Sequence, residues 1–210
     1  DIVRSPSLWF SSLSQIGINI GWIFIGTWFP TYLLEQHQVP ILERGTMVTV
    51  PFLVGFPGML LGGVVTDKLV SLVGVRWARR LPWIISKSIA VGAFAMCPLL
   101  DSPWAVTAMM ATVAFCVDFG NPASWAFTQD VGGKHVGSVL GFGNMWGNLG
   151  AAVSPILLIA ISDNHSWNHM FYTCAGLFTI STICSFFIDA ATPVISEDKA
   201  RMDEDMGGAE

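Results

Sequence analysis

Charge is what this sequence has least of. Asp, Glu, Lys and Arg make up 12% of its 210 residues, 52% are hydrophobic, and mean hydropathy is +0.58. An average soluble domain is about 25% charged, so a water-soluble fold is excluded. The formal net charge of −5 misleads, because residues 193–210 hold six acids and two bases, leaving the body near neutral. Without a basic patch there is no basis for nucleic-acid binding. Cysteine is sparse too. Cys97, Cys116, Cys174 and Cys184 all fall inside apolar segments, where they read as reduced, packed hydrophobes rather than a disulfide framework or a metal site. HExxH, GxSxG, Walker A and CxxC patterns are missing, so nothing points to a soluble enzyme. No cofactor is expected.

What is present is hydrophobic sequence in six runs, at about 8–34, 46–65, 81–100, 104–127, 137–161 and 170–190. Each is close to the roughly 20 helical residues that a hydrocarbon core requires. The expected fold is an all-α membrane bundle of six transmembrane helices over residues 1–192, with an acidic, disordered tail at 193–210. Arg4, Lys68, Arg76, Arg79, Arg80, Lys134, Lys199 and Arg201 fall on one side and Arg44 on the other. That bias places both termini in the cytoplasm. Lys87 lies inside the third helix and is expected to snorkel back towards water. The chain starts at Asp1 with DIVRSPSLW, which reads as the end of a linker, so a longer parent protein is expected.

Polar residues inside these helices fall into stripes. Ser11, Gln15, Asn19 and Trp22 share one face of the first helix, and either line a cavity or pack against another helix through amide hydrogen bonds. Pro51 and Pro57 are expected to kink the second helix, with Gly55 and Gly58 beside them. In the fourth, Asp118, Asn121, Pro122, Trp125 and Gln129 share a face. An aspartate near mid-membrane costs about 3 kcal/mol. It must be protonated, bonded to a partner such as Asn144 or Lys87, or facing water. Pro122 is expected to break that helix. The fifth opens GSVLGFGNMWGNLGAAVSP, with small residues four apart at Gly137/Gly141 and Gly143/Gly147 and amides at Asn144/Asn148. Such spacing lets another helix approach closely. The sixth reads as outer packing. His165 and His169 are four apart but lack further ligands for a metal.

Two stretches carry a family resemblance. GGVVTDK followed by RR resembles the G-x-x-x-D-R/K…R motif of the major facilitator superfamily, in the loop between its eighth and ninth helices. Gly63, Asp67 and Lys68 match it, and Arg79 and Arg80 follow after an insert at 69–78. PASWAFTQDVGGKHVGSVLGFGNMWGNLGAAVSP is similar to the tenth-to-eleventh helix region of that superfamily's anion:cation symporter branch. The resemblance implies helices seven to twelve, the C-terminal half of a twelve-helix transporter whose N-terminal six-helix half is missing here. By it, Ser124 and Trp125 match a polar–Trp pair near the substrate, Asn144 matches an Asn that contacts it, and Gln15 and Asn19 are candidates for a seventh-helix amide.

The function these readings support is ion-coupled transport of a small organic anion across the inner membrane. The expected substrate is a sugar acid such as hexuronate, glucarate or galactonate, coupled to H⁺ or Na⁺. Gln15, Asn19, Asp118, Asn121, Ser124, Trp125, Asn144 and Asn148 form the expected substrate wall. By the resemblance, the carboxylate-binding groups belong to the other half. Gly63, Asp67, Lys68, Arg79 and Arg80 form a cytoplasmic latch, in which Asp67 either pairs with Arg79 or Arg80 or caps a neighbouring helix. The alternatives are a non-transporting six-helix scaffold and an intramembrane enzyme built on Ser162 or Ser166 with His165 or His169. The topology is testable. In a cysteine-free background, a cysteine at Gly74 is expected to resist an impermeant thiol reagent outside sealed cells, and one at Ser102 to react. Outside labelling at Gly74 would reverse the orientation.

Overall fold

A computed structural model describes residues 2–164 and 166–192, with backbone alone at 162–164. The acidic tail and His165 lie outside the described residues. Among those described, the regular structure is helical throughout: α1 (Pro6–Ile23), a π-turn (Phe24–Trp28), α2 (Phe29–His37), α3 (Ile41–Met96), α4 (Pro103–Gly132), α5 (Val136–Asn164) and α6 (Trp167–Phe187). Four helical stretches are long and apolar enough to cross a bilayer: Pro6–His37, Ile41–Leu99, Pro103–Ile161 and Trp167–Phe187. The second and third are 59 residues each, which as straight helices would run to roughly 90 Å. A hydrocarbon core is about 30 Å thick, so each must cross twice.

The reversals occur at glycines. Gly74 has φ 77° and ψ 164°, and Gly133 has φ 48°, both in the region that L-residues with a Cβ avoid. Contacts on either side of Gly74 confirm the turn. Gly62 of the first α3 arm abuts Phe119, and Ser86 of the second abuts Gly120. Residues 24 apart in sequence thus meet adjacent positions of α4. The result is the six-helix bundle expected from the hydropathy pattern.

The helices are longer than expected, because loops shrink to the few residues around Gln38–Pro40 and 100–102. The prolines also behave differently from expectation. α3 is continuous through Pro51, Pro57 and Pro82, and α4 through Pro122; within α3 only Gly74 leaves helical φ/ψ. Gly55, Gly58 and Gly62 are a packing seam, not hinges. A Cβ at Gly58 would stand 2.6 Å from the Phe115 carbonyl oxygen, and one at Gly62 would stand 2.9 Å from Phe119 Cα. Absence of side chains there lets two backbones touch, and dispersion contact replaces the hydrophobic drive that lipid does not provide. Where a proline does perturb the backbone is in the first crossing. Pro30 has no N–H for Gly26, and Phe29 N–H reaches back to Phe24 O in the preceding π-turn.

Buried apolar side chains form two layers. One joins Phe24, Tyr32, Phe94, Met110, Phe171 and Phe178; the other joins Leu8, Trp83, Phe127, Val139 and Ile188. Outward-facing side chains such as Leu53, Phe56, Leu60 and Ile85 are also apolar and exposed, as suits a lipid-facing wall and not a wet one. At one end, Trp104 Nε1 donates to Glu43 (3.1 Å) and Trp167 Nε1 to Glu35 (3.2 Å). Gly62→Val is expected to destabilise the purified protein by roughly 1–3 kcal/mol through overpacking. Gly63→Val, whose Cβ meets nothing within 4 Å, should leave thermal unfolding in detergent unchanged.

Candidate functional site

Between the two apolar layers lies a cavity of about 310 Å³, walled by α1, the second arm of α3, α4 and α5, with Phe178 from α6. That is the lower end of the range typical of small-molecule sites. Seven of the eight residues expected in the substrate wall line it: Gln15, Asn19, Asp118, Asn121, Ser124, Trp125 and Asn144. The eighth, Asn148, is exposed one turn farther along α5 and outside the lining.

The α1 amides are held in place by missing side chains on α5. A Cβ at Gly147 would stand 2.7 Å from Asn19 Nδ2 and 3.2 Å from Gln15 Oε1; one at Gly150 would stand 2.7 Å from Ile16 O. Ser154 Oγ extends the seam by donating to Ile20 O at 3.4 Å. Gly143 faces Gln15 as well, whereas Gly137 and Gly141 face open space. Of the two spaced pairs, only the second packs a helix. Asn19 Nδ2 donates to the Gln15 carbonyl (3.0 Å), which fixes the amide and leaves its oxygen free to accept.

On α4, Asp118 Oδ1 accepts from Asn121 Nδ2 at 3.2 Å, and its other oxygen is pressed against Gly55. Its partner is therefore neither Asn144 nor Lys87. Pro122 leaves α4 unbroken but has no N–H, so the Asp118 carbonyl lacks its regular helical donor. Acceptors thus concentrate at this level of the wall. Ser124 is buried and Trp125 is 50% exposed, so the indole is free to flatten against a ligand.

Sequence reasoning missed Lys87. It does not snorkel. It is only 4% exposed, and its ammonium donates to Ser14 Oγ (2.6 Å) and Ser185 Oγ (2.8 Å) and sits 4.2 Å from the Trp83 ring centre. Ser14 and Ser185 both donate onward to the Ser181 carbonyl, at 3.4 and 2.8 Å. Lys87 and Ser86 line the cavity, and α6, expected to be outer packing, supplies one of the two hydroxyls, Ser185, and the Ser181 carbonyl. One signal was available: Trp83, Ser86, Lys87 and Ala90 share a helical face that Ile85 and Ile89 do not.

The latch residues lie away from the cavity, at the end of the bundle where Gly74 turns. Arg79 Nε pairs with Asp130 at 2.7 Å, and Arg80 donates to the Ile188 carbonyl and lies over Trp77. Asp67 and Lys68 are exposed. Among the described residues Asp67 pairs with neither arginine, because both are turned towards α4 and the end of α6. Arg76 grips Asp189 through two bonds, Nε–Oδ1 2.9 Å and Nη2–Oδ2 2.7 Å, the forked geometry arginine favours. Burial raises the Asp189 carboxyl, but the Ala191 N–H, Arg76 and Thr192 outweigh it and hold it below its usual value. Ser166 Oγ and His169 Nδ1 meet at 3.2 Å on an exposed surface, and no group of three metal-ligating side chains occurs among the described residues.

Residues 1–155 match the family model described as Major Facilitator Superfamily. A probable galactarate/D-glucarate transporter of Escherichia coli (strain K12) is 32% identical over 180 residues, covering 83% of this chain and 39% of the relative. One of the same description from Bacillus subtilis (strain 168) is 34% identical over 148 residues, covering 70% and 32%. The hexuronate transporter of Bacillus subtilis (strain 168) is 25% identical over 189 residues, covering 86% and 44%. The chain thus spans about two-fifths of the length of the curated relatives it matches. These relatives are named as transporters, not enzymes.

The α1–α5 seam has a measurable consequence. Gly147→Val would drive Asn19 and Gln15 off the cavity wall and is expected to lower ligand affinity at least tenfold. Gly141→Ala, on the open face of the same helix, should leave affinity unchanged. Ligand titration of the two variants, purified as the full-length protein, distinguishes them.

Proposed function

Since this chain belongs to the major facilitator superfamily, we propose that it is the C-terminal six-helix half of a secondary transporter for small organic anions of the sugar-acid class. The observation that carries the reading is the composition of the cavity wall. Amides of α1 and α5, a hydroxyl and an indole of α4, and the Asp118 carboxylate converge on one space between apolar layers. Polar side chains inside a bilayer bundle are expensive unless a water-filled path or a ligand uses them. Amides match the alternating hydroxyls of a polyol, since each offers both donor and acceptor, and Trp125 covers a C–H face of the carbon chain. The names of the relatives support sugar acids over other polyols.

In this reading residues 1–192 are the six-helix half and 193–210 a cytoplasmic tail. An N-terminal half supplies the opposite wall, and the two rock about the shared cavity in the inner membrane, with both termini of this chain in the cytoplasm. Transport is coupled to H⁺ or Na⁺, and Asp118 is the group of this half that takes a proton or orders water. Gly63, Asp67, Lys68, Arg79 and Arg80 meet the other half at the cytoplasmic end. Exposed Asp67 and Lys68 are free to pair across that interface, while Arg79 and Arg80 hold the turn. The non-transporting scaffold explains the packing but leaves the cavity's polar wall without a use.

Removing one hydrogen bond to a polyol costs about 0.5–1.5 kcal/mol, and removing an indole forfeits contact area as well. Trp125→Ala is therefore expected to nearly abolish saturable sugar-acid uptake by the complete transporter. Asn144→Ala should raise apparent KM by up to roughly tenfold at undiminished membrane abundance. If the residues are only structural, Asn144→Ala should instead reduce folded protein, with normal affinity in the remainder. Concentration-dependent uptake beside surface expression decides.

A further inference from the structure

Lys87 is a basic side chain with no acidic partner among the described residues. Its ammonium lies deep in the bundle, held by two neutral hydroxyls and an indole face, and forms no ion pair among the described residues. The groups that hold it present dipoles or a π face, Ser14 from α1, Ser185 from α6 and Trp83 from its own helix, and the Cys184 thiol of α6 lies near it. Such a group is tolerated in a low-dielectric interior when a counter-charge completes it. The two hydroxyls are themselves committed as donors to the Ser181 carbonyl, so each can only accept from Lys87. That locks the side chain as a donor and fixes where it points.

The open space beside Lys87 is the substrate cavity, which it lines together with Trp83 and Ser86. Among the described lining residues it is the cationic one, and Asp118 is the acidic one. The two do not pair. Asp118 is instead bonded to Asn121 and pressed against Gly55 of the first α3 arm. The cavity is therefore polarised. An anionic ligand is drawn to the Lys87 side and repelled from the Asp118 side, with the amides of Gln15, Asn19 and Asn144 left for hydroxyls.

Building on the transport reading above, we propose that Lys87 is the counter-cation for a carboxylate of the bound sugar acid. This half then recognises charge as well as hydroxyls and sets the orientation of the ligand. The expectation that carboxylate recognition falls wholly to the other half is replaced. Ser14, Ser181 and Ser185 act as positioning residues, holding the ammonium at the cavity edge instead of letting it reach the membrane surface.

The test removes the charge from the protein and from the ligand in turn. Binding of D-glucarate and of its uncharged diamide is measured on the full-length protein by competition and thermal shift. The wild type should prefer the acid. Lys87→Met, which keeps the length of the side chain, should weaken glucarate by roughly tenfold to a hundredfold, as for loss of a charged hydrogen bond. Diamide binding should change less than twofold. Lys87→Gln, able to keep bonds to Ser14 and Ser185, should show the same selective loss and serves if the Met variant does not accumulate. Equal weakening of both ligands would make Lys87 a structural tie between α1 and α6 and overturn the proposal, as would unchanged glucarate binding. Failure of the wild type to bind or take up any sugar acid would instead remove the transport reading itself.

Discussion

The bundle depends on two backbones in direct contact. Gly58 and Gly62 bring the first arm of α3 against the Phe115 and Phe119 backbone of α4, and Gly55 brings it against the Asp118 carboxyl. In lipid, apolar side chains gain little by leaving one hydrocarbon for another, so packing of this kind must hold helices together. The seam also orders the site. Asp118 cannot swing away from the cavity wall because Gly55 backs it, and Asn121 is fixed with it. A second glycine seam, Gly147 and Gly150 under α1, does the same for Gln15 and Asn19. Small residues thus place the large polar ones.

The distribution of charge follows from the same scarcity of solvent. At the end of the bundle where Gly74 turns, arginines and acids neutralise one another in pairs, Arg76 with Asp189 and Arg79 with Asp130. These fasten α3 to α6 and to α4 close to water, where ion pairs need little desolvation. In the middle, the two ionisable side chains that share the cavity, Lys87 and Asp118, bond to neutral partners and not to each other.

Much of this was legible in the sequence. Six crossings follow from hydropathy and segment length, and the two reversals fall at glycine-containing turns. The polar stripes of α1 and α4 converge as their helical spacing implies, because a 3.6-residue period fixes which residues share a face whatever the helix packs against. What was not legible depends on partners distant in the chain. Whether Lys87 reaches outward or inward is decided by Ser14 and Ser185, 73 and 98 residues away. Likewise, Gly55 and Gly58 beside two prolines look like a hinge locally and become a seam only when α4 is present. The 69–78 insert suggested a loop, yet apart from Gly74 it continues the helical arms and swings Arg79 and Arg80 away from Asp67.

The π-turn at Phe24–Trp28 has a further consequence. A helix advances about 100° per residue, so the faces of its two ends are normally locked to one another. A π-turn inserts extra arc without interrupting the rod. The segment before it turns Gln15, Asn19 and Trp22 to the cavity, and the segment after it turns Phe29, Tyr32 and Leu33 into the apolar layer. The turn therefore acts as a phase shifter, letting one crossing obey two rotational settings. Sequence drift of the outer segment can be absorbed as a change of pitch there, without rotating the cavity-facing amides out of alignment.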